Sequence, residues 1–82
     1  MPVLTDLSFV LADNLRREMQ VRNLTQTELA DRLGVSYPRI SEILAGGNPR
    51  LSTVAKLAEA LDLAPAVLLT YREPAEKSFA KS

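Results

Sequence analysis

The chain has 82 residues, of which 46% are hydrophobic and 5% aromatic, and this suits one domain with a mainly aliphatic core. Ten Lys and Arg residues balance ten Asp and Glu residues, so the chain lacks the overall positive charge that a phosphate backbone rewards. The absence of cysteine excludes disulfides and thiolate metal sites, and the absence of histidine removes the commonest general base and metal ligand.

The chain begins with a segment that has no clear hydrophobic period. We therefore predict an N-terminal arm over residues 1–8. A first helix is predicted from about residue 9 to residue 21, because apolar residues repeat there at four-residue spacing from Leu11. Asn23 follows, and asparagine accepts the left-handed conformation in which helices often end.

Two short helices joined by a tight turn are predicted between Thr25 and Ala45. Thr25 and Glu28 have the spacing of a capping box, in which each side chain binds the backbone N–H of the other residue. Gly34 suits the left-handed residue that ends the first helix of the pair, and Ser36 suits the N-cap of the second. The second helix keeps a polar outward face, which suits the reading of base edges in a major groove.

A loop, two further helices and a tail are predicted after this pair. Residues 45–50 contain Gly-Gly-Asn-Pro, which disfavours helix. Ser52 is the predicted N-cap of the fourth helix, and Pro65 suits the first turn of a short fifth helix that ends near residue 71. Residues 72–82 are predicted to form a polar tail. The predicted core is Leu11, Leu15, Met19, Leu29, Ala30, Leu33, Ile40, Ile43, Leu44, Val54, Leu57, Ala58, Leu61 and Leu68.

The sequence resembles the helix-turn-helix of the phage repressor and Cro family, also called the XRE family. The matching residues are Leu24-Thr25-Gln26, Glu28-Leu29-Ala30, Leu33-Gly34-Val35-Ser36, Ile40-Ser41 and the turn at Gly46. The resemblance continues through the fourth and fifth helices. It implies an all-α, five-helix domain that binds operator DNA, usually as a homodimer.

One departure from the family supports the fold assignment. Many members carry an arginine where this chain has Met19 and a glutamate where it has Leu44, and these two residues commonly form a buried ion pair. In this chain both positions are apolar. Replacing a buried ion pair by packed apolar residues is often neutral or stabilising, so the paired change is compatible with the same core.

The resemblance implies which residues contact DNA. The base-reading region corresponds to Tyr37, Pro38, Arg39, Ser41 and Glu42. The candidate contacts to the DNA backbone are Thr25, Gln26, Thr27, Ser36, Gly47, Asn48, Arg50 and Ser52. Arg39 is the only long cationic side chain on its helix, and its planar fork matches O6 and N7 of guanine. A phosphate contact is the alternative for Arg39, while Glu42 either accepts from cytosine or only orients Arg39.

Backbone amides after the third helix and arginines on the first helix are further candidates for binding DNA phosphates. The backbone amides of Gly46 and Gly47 are expected to be free to bind a phosphate, with an ordinary flexible loop as the alternative. Arg16, Arg17 and Arg22 on the first helix are expected to form a solvated face, from which one side chain reaches the DNA backbone.

The fifth helix carries more apolar side chains than one face of its own domain can bury. We predict a homodimer interface at Ala66, Val67, Leu69 and Tyr71, where one patch meets itself across a two-fold axis. Coverage of these residues by the arm or by the tail is the alternative.

The predicted function is sequence-specific binding of double-stranded DNA by a transcriptional regulator, a repressor in the simplest case. The alternatives are an antitoxin with a cognate toxin, a restriction-modification controller, and a protein-interaction module that has lost DNA binding, which the neutral charge suits. We expect no enzyme, cofactor or metal site, because the acidic residues occupy ordinary helix-surface and cap positions. No apolar run approaches a membrane span of about 18–20 residues and no signal-peptide pattern is present, so we expect a cytoplasmic protein.

Overall fold

Five helices and no strand make up the part of the chain that the computed structural model describes, residues 6–72. The helices are α1 (Leu7–Val21), α2 (Gln26–Leu33), α3 (Tyr37–Leu44), α4 (Leu51–Ala60) and α5 (Pro65–Leu69). Helix α1 packs on α3 and α5, α2 packs on α3 and α4, and α4 packs on α5, so the five helices close around one core. The predicted all-α architecture is confirmed. Between residues 6 and 72, no helix is long and apolar enough to cross a membrane.

Helix α1 begins two residues earlier than predicted. The Asp6 side chain accepts a hydrogen bond from the Ser8 N–H at 2.8 Å, which makes Asp6 the N-cap and places Leu7 and Ser8 inside the helix. The sequence places these two residues before the predicted helix because the apolar repeat begins only at Leu11. The rest of the predicted arm, residues 1–5, and the predicted tail from residue 73 onward lie outside the described residues.

The predicted capping box at the start of α2 is present. The Thr25 hydroxyl accepts from the Glu28 N–H at 3.1 Å, and a Glu28 carboxylate oxygen accepts from the Thr25 N–H at 2.8 Å. These backbone and side-chain bonds with Thr25 lower the pKa of Glu28, and Arg32 lowers it further. Because the pKa of Glu28 is lower in the folded state, the bond from the Thr25 N–H to the Glu28 carboxylate stabilises the fold at neutral pH. This stabilisation is lost as the pH falls through the folded-state pKa of Glu28. Gly34 ends the helix in the left-handed conformation, with φ of 72°.

The prediction for the cap of α3 is confirmed and that for α4 is wrong. Ser36 caps α3 by accepting from the Arg39 N–H at 3.3 Å. The N-cap of α4 is Arg50 and not Ser52, and the Arg50 side chain makes no cap bond. The first i to i−4 hydrogen bond of α4 runs from the N–H of the buried Val54 to the Arg50 carbonyl at 3.1 Å. Ser52 therefore lies inside the first turn.

The buried core contains all the predicted residues except Leu33, which packs against it from a half-buried position. Met19 and Leu44 are both buried, as the apolar replacement of an ion pair requires. Val10 is buried but was not predicted, because it lies outside the four-residue repeat of α1.

A buried polar side chain fastens α5 to α1. Asn14 is 2% exposed, and its amide donates to the carbonyl oxygens of Leu68 at 2.9 Å and Thr70 at 2.8 Å. Its own oxygen accepts from Arg17 at 3.0 Å. These bonds satisfy carbonyl groups that the end of a helix leaves without partners. The only sign of this contact in the sequence is a lone asparagine among the apolar positions of α1.

Candidate nucleic-acid interface

The outward face of α3 carries the side chains predicted to read bases. Ile40 and Ile43 are completely buried and fix how the helix is rotated on the domain. Their burial leaves Tyr37, Pro38 and Glu42 exposed. Arg39 and Ser41 are half-buried at the two sides of this face. A short helix anchored by its apolar side thus presents a compact polar surface.

Arg39 and Glu42 form an ion pair on this face. A guanidinium nitrogen of Arg39 donates to a carboxylate oxygen of Glu42 at 2.8 Å, one helical turn away. The expected contact that orients Arg39 is therefore present. Because one edge of the guanidinium is occupied by Glu42, the remaining N–H groups have a defined direction for a second acceptor.

A hydrogen bond joins α3 to the start of α2. The Ser41 hydroxyl donates to the side-chain oxygen of Gln26 at 2.7 Å. This bond holds the Gln26 side chain by its oxygen and leaves the amide N–H groups for another acceptor. The bond thereby links Gln26, a predicted contact to the DNA backbone, to Ser41, a predicted base-reading residue. The sequence did not indicate this pairing, because the two residues lie 15 positions apart.

A cleft of about 520 Å³ lies beside this bond, between α1, the start of α2 and the end of α3. Its floor includes the buried side chains of Met19, Leu24 and Leu44. Its polar lining includes Gln26 and Thr25, so the cleft opens next to predicted contacts to the DNA backbone.

The expectation of free glycine amides after α3 is wrong. The Gly46 N–H donates to the Ile43 carbonyl at 3.1 Å, and the Gly47 N–H donates to the Glu42 carbonyl at 2.9 Å. With Gly46 at φ of 95°, the two bonds form a Schellman motif that terminates α3. A Cβ on Gly47 would lie 2.8 Å from the Glu42 carbonyl oxygen, so glycine is needed there for close approach. These amides stabilise the helix end and are not free for a phosphate.

Other predicted contacts to the DNA backbone are accessible. The exposed side chains among them are those of Thr25, Thr27, Ser36, Asn48, Arg50 and Ser52, while Gln26 is half-buried. They are contributed by the start of α2, the start of α3 and the loop that leads into α4. The bond between Ser41 and Gln26 places the start of α2 beside the outward face of α3, so a predicted phosphate contact adjoins the predicted base contacts.

The arginines of α1 bind to the protein itself. Arg16 donates to the Leu44 carbonyl at 2.7 Å and stays exposed, which places a cation at the C-terminal end of α3. Arg17 bonds to Asn14, and Arg22 donates to the carbonyl of Leu61 at 3.0 Å. The expectation of a solvated face is therefore wrong for Arg17 and Arg22, which are half-buried. Because Arg17 and Arg22 bond within the protein, less positive charge is available to bind DNA phosphates.

These features define a class of protein: a helix-turn-helix DNA-binding domain, in which a capped helix supports a second helix with an exposed polar face. The family model for helix-turn-helix domains matches residues 15–68. The chain belongs to this family, in its phage repressor and Cro (XRE) form, and is a DNA-binding regulator of transcription. No curated protein matches the sequence.

Two solved structures are similar to this chain. A hypothetical transcription factor, NHTF from Neisseria, shares 33% sequence identity with a TM-score of 0.78 over 92% of this chain and 85% of that protein. The restriction-modification controller protein C.AhdI from Aeromonas hydrophila shares 29% identity with a TM-score of 0.71. That similarity covers 74% of this chain and 94% of the controller.

Proposed function

We propose that this protein is a cytoplasmic, non-enzymatic repressor that binds double-stranded DNA sequence-specifically and needs no cofactor. The observation that carries the proposal is the exposed face of α3, where Glu42 holds Arg39 by an ion pair and the buried Ile40 and Ile43 anchor the opposite face of the helix. Preorganised polar groups on a rigid helix lose little freedom on meeting base edges. Occupation of a promoter by such a domain represses transcription by occlusion.

The proposed base contacts come from Tyr37, Pro38, Arg39, Ser41 and Glu42. For the DNA backbone, we propose contacts from the two capped helix starts and from the loop before α4. The Gln26 amide and the exposed Arg50 side chain supply two of the proposed donors. The Gly47 N–H is used in the Schellman motif that ends α3, so the proposed role of Gly47 is to set the course of the loop that carries the other contacts.

We propose that the protein acts as a homodimer on an inverted-repeat operator. Half-sites would then lie about one helical turn apart, roughly 34 Å between centres. Support comes from α5, where Ala66 is exposed, Val67 and Leu69 are half-buried, and Tyr71 is 58% exposed just beyond the helix. Such apolar surface on one short segment suits burial against the same segment of a second subunit.

Val67→Glu is expected to convert the dimer to a monomer. A carboxylate at this half-buried position would have to be desolvated, unpaired, in the interface. Sedimentation equilibrium at matched concentrations measures the change, and Ala55→Glu, an exposed site on α4, is the control. An unchanged dimer mass for Val67→Glu would put the interface elsewhere, and the arm is then the next candidate.

DNA binding is expected to weaken with salt, with a slope in log affinity of about −0.9 for each phosphate neutralised. Arg50→Ala should reduce this slope by about one for each subunit, because it removes an exposed cation from the proposed backbone contacts. Lys56→Ala removes an exposed cation from the side of α4 near Arg32 and should leave the slope unchanged. A wild-type protein that binds no genomic fragment at low salt would indicate the protein-interaction module instead.

A restriction-modification controller is the second candidate function. The similarity to C.AhdI, at a TM-score of 0.71, is the observation that favours it. Neighbouring genes for a restriction endonuclease and a methyltransferase, together with binding to their shared promoter, would support this assignment.

A further inference from the structure

Arg16 differs from the other arginines of α1 in what its side chain contacts. The other two form ion pairs with acidic residues of the same helix. Arg16 is exposed, and within residues 6–72 it forms no ion pair. Its guanidinium donates instead to the Leu44 carbonyl at 2.7 Å. A carbonyl is a neutral acceptor, so the positive charge of Arg16 is not balanced by a carboxylate in this part of the chain.

Arg16 lines the cleft of about 520 Å³ between α1, the start of α2 and the end of α3. Among the described residues that line this cleft, Arg16 is the one with a charged side chain, and none carries a carboxylate. An anion in the cleft would therefore meet a cation and no opposing negative charge. The neutral polar lining includes the side chain of Gln26. The cleft thus favours an anionic group that accepts hydrogen bonds.

Helix α3 holds both Arg16 and Gln26 by a hydrogen bond. Ser41 donates to the side-chain oxygen of Gln26 at 2.7 Å, which leaves the amide N–H groups of Gln26 for another acceptor. The Leu44 carbonyl accepts from one nitrogen of Arg16, and a guanidinium carries several further N–H groups. Because these bonds already restrain the two side chains, each loses little freedom when it binds a ligand.

We propose that Arg16 and Gln26 together bind one phosphate of the DNA backbone at this cleft, an arrangement that we call the phosphate clamp. The proposal rests on the DNA-binding function proposed above. It adds Arg16 to the contacts and assigns a single phosphate to both side chains. A phosphodiester suits the clamp, because its charged oxygens can accept hydrogen bonds from both donors. Since α3 holds both donors, the clamped phosphate is kept in register with the side chains that read bases.

Arg16→Gln tests the charge in the phosphate clamp. Glutamine retains side-chain N–H groups and lacks the charge, and Arg16 is exposed, so the variant should fold, which circular dichroism verifies. The probe is a duplex that the wild-type protein selects from a randomised-operator library. We expect the slope of log affinity against log salt to shrink by about one for each subunit. An unchanged slope would mean that Arg16 only stabilises the end of α3, and this overturns the proposal.

The matched control is Arg32→Gln. Arg32 is also exposed and also donates to a carbonyl oxygen, that of Ala60 at 3.4 Å. It lines a different cleft, between α2 and α4, and it is not a proposed DNA contact. This variant should keep the wild-type slope. Equal reductions by Arg16→Gln and Arg32→Gln would show an effect of net charge without a local contact, and the phosphate clamp would then be wrong.

A second measurement uses duplexes that carry one uncharged methylphosphonate each, at successive positions of the selected operator. Wild-type affinity should fall about tenfold when the clamped phosphate loses its charge, because hydrogen bonds to charged groups are the strong ones. Arg16→Gln and Gln26→Ala should each lose less than the wild type at this position, since each lacks one of its donors. If the two variants differ from wild type at different phosphates, or at none, no phosphate is shared and the proposal is overturned.

The results distinguish the phosphate clamp from the DNA-binding function on which it rests. A wild-type protein that binds no duplex at low salt contradicts the proposed function, and the clamp with it. Sequence-specific binding by the wild type, with an unchanged salt slope for Arg16→Gln, overturns the clamp alone and leaves the proposed function standing.

Discussion

Leu57→Ala is expected to lower the free energy of unfolding by about 2–5 kcal/mol. Leu57 is completely buried in α4, which packs on both α2 and α5, so truncation leaves a cavity in the core. Neighbouring helices relax only partly into such a space, and the lost contacts add to the lost transfer free energy. For a domain of this size that loss is a large fraction of the total stability. Urea unfolding at one fixed protein concentration measures it, because the proposed dimerisation would make stability depend on concentration.

The control for this experiment is Val21→Ala. Val21 is 75% exposed at the end of α1, and exposed substitutions usually change stability by about 0.5 kcal/mol or less. A loss below about 0.5 kcal/mol for Leu57→Ala would mean that α4 buries a different face.

Arg39→Ala is expected to weaken operator binding by about 1–3 kcal/mol and to flatten the preference at one base pair, a guanine in each half-site. The reason is geometric. The bond to Glu42 at 2.8 Å occupies one edge of the guanidinium, and the planar fork then offers its other N–H groups to O6 and N7. Selection from a randomised-operator library with wild type and Arg39→Ala measures both the affinity and the base preference.

The alternative for Arg39 is a phosphate contact, which gives a different result. Affinity then falls alike on every sequence, and the salt slope shrinks by about one for each subunit. A uniform loss would therefore contradict the guanine assignment. Glu42→Gln is the matched variant, because it keeps the shape of the side chain and weakens its hold on Arg39. If Glu42 positions Arg39, this variant should broaden preference at the same base pair.

Much of the local structure around α2 and α3 was predictable from the sequence. The Thr25–Glu28 capping box, the left-handed Gly34 and the Ser36 cap all depend on residues within three positions of their partners. The identity of the residues is then enough to determine the geometry. The Asp6 cap of α1 is equally local. The apolar repeat does not reveal it, because Asp6 lies five residues before the first residue of that repeat, Leu11.

The site was only partly predictable. The sequence indicated which side chains lie on the outer face of α3, and the structure brings Arg39 and Glu42 together there as expected. It did not indicate that Ser41 holds Gln26, or that the Gly47 amide is used inside the protein. Whether a polar group is free for DNA depends on which partners the fold brings within hydrogen-bonding distance.

The sequence by itself determined the number of helices, the N-caps of α2 and α3 and the face that each helix buries, because these follow from periodicity and from contacts a few residues apart. Only the tertiary structure decided how the buried Asn14 binds carbonyl groups of residues 54 and 56 positions away. It also decided that Arg16 binds the end of α3, and that Leu51 and Leu69 border one cleft. The physical reason is that hydrogen bonds and packing require proximity in space, and residues far apart in the chain become neighbours only when the helices pack together.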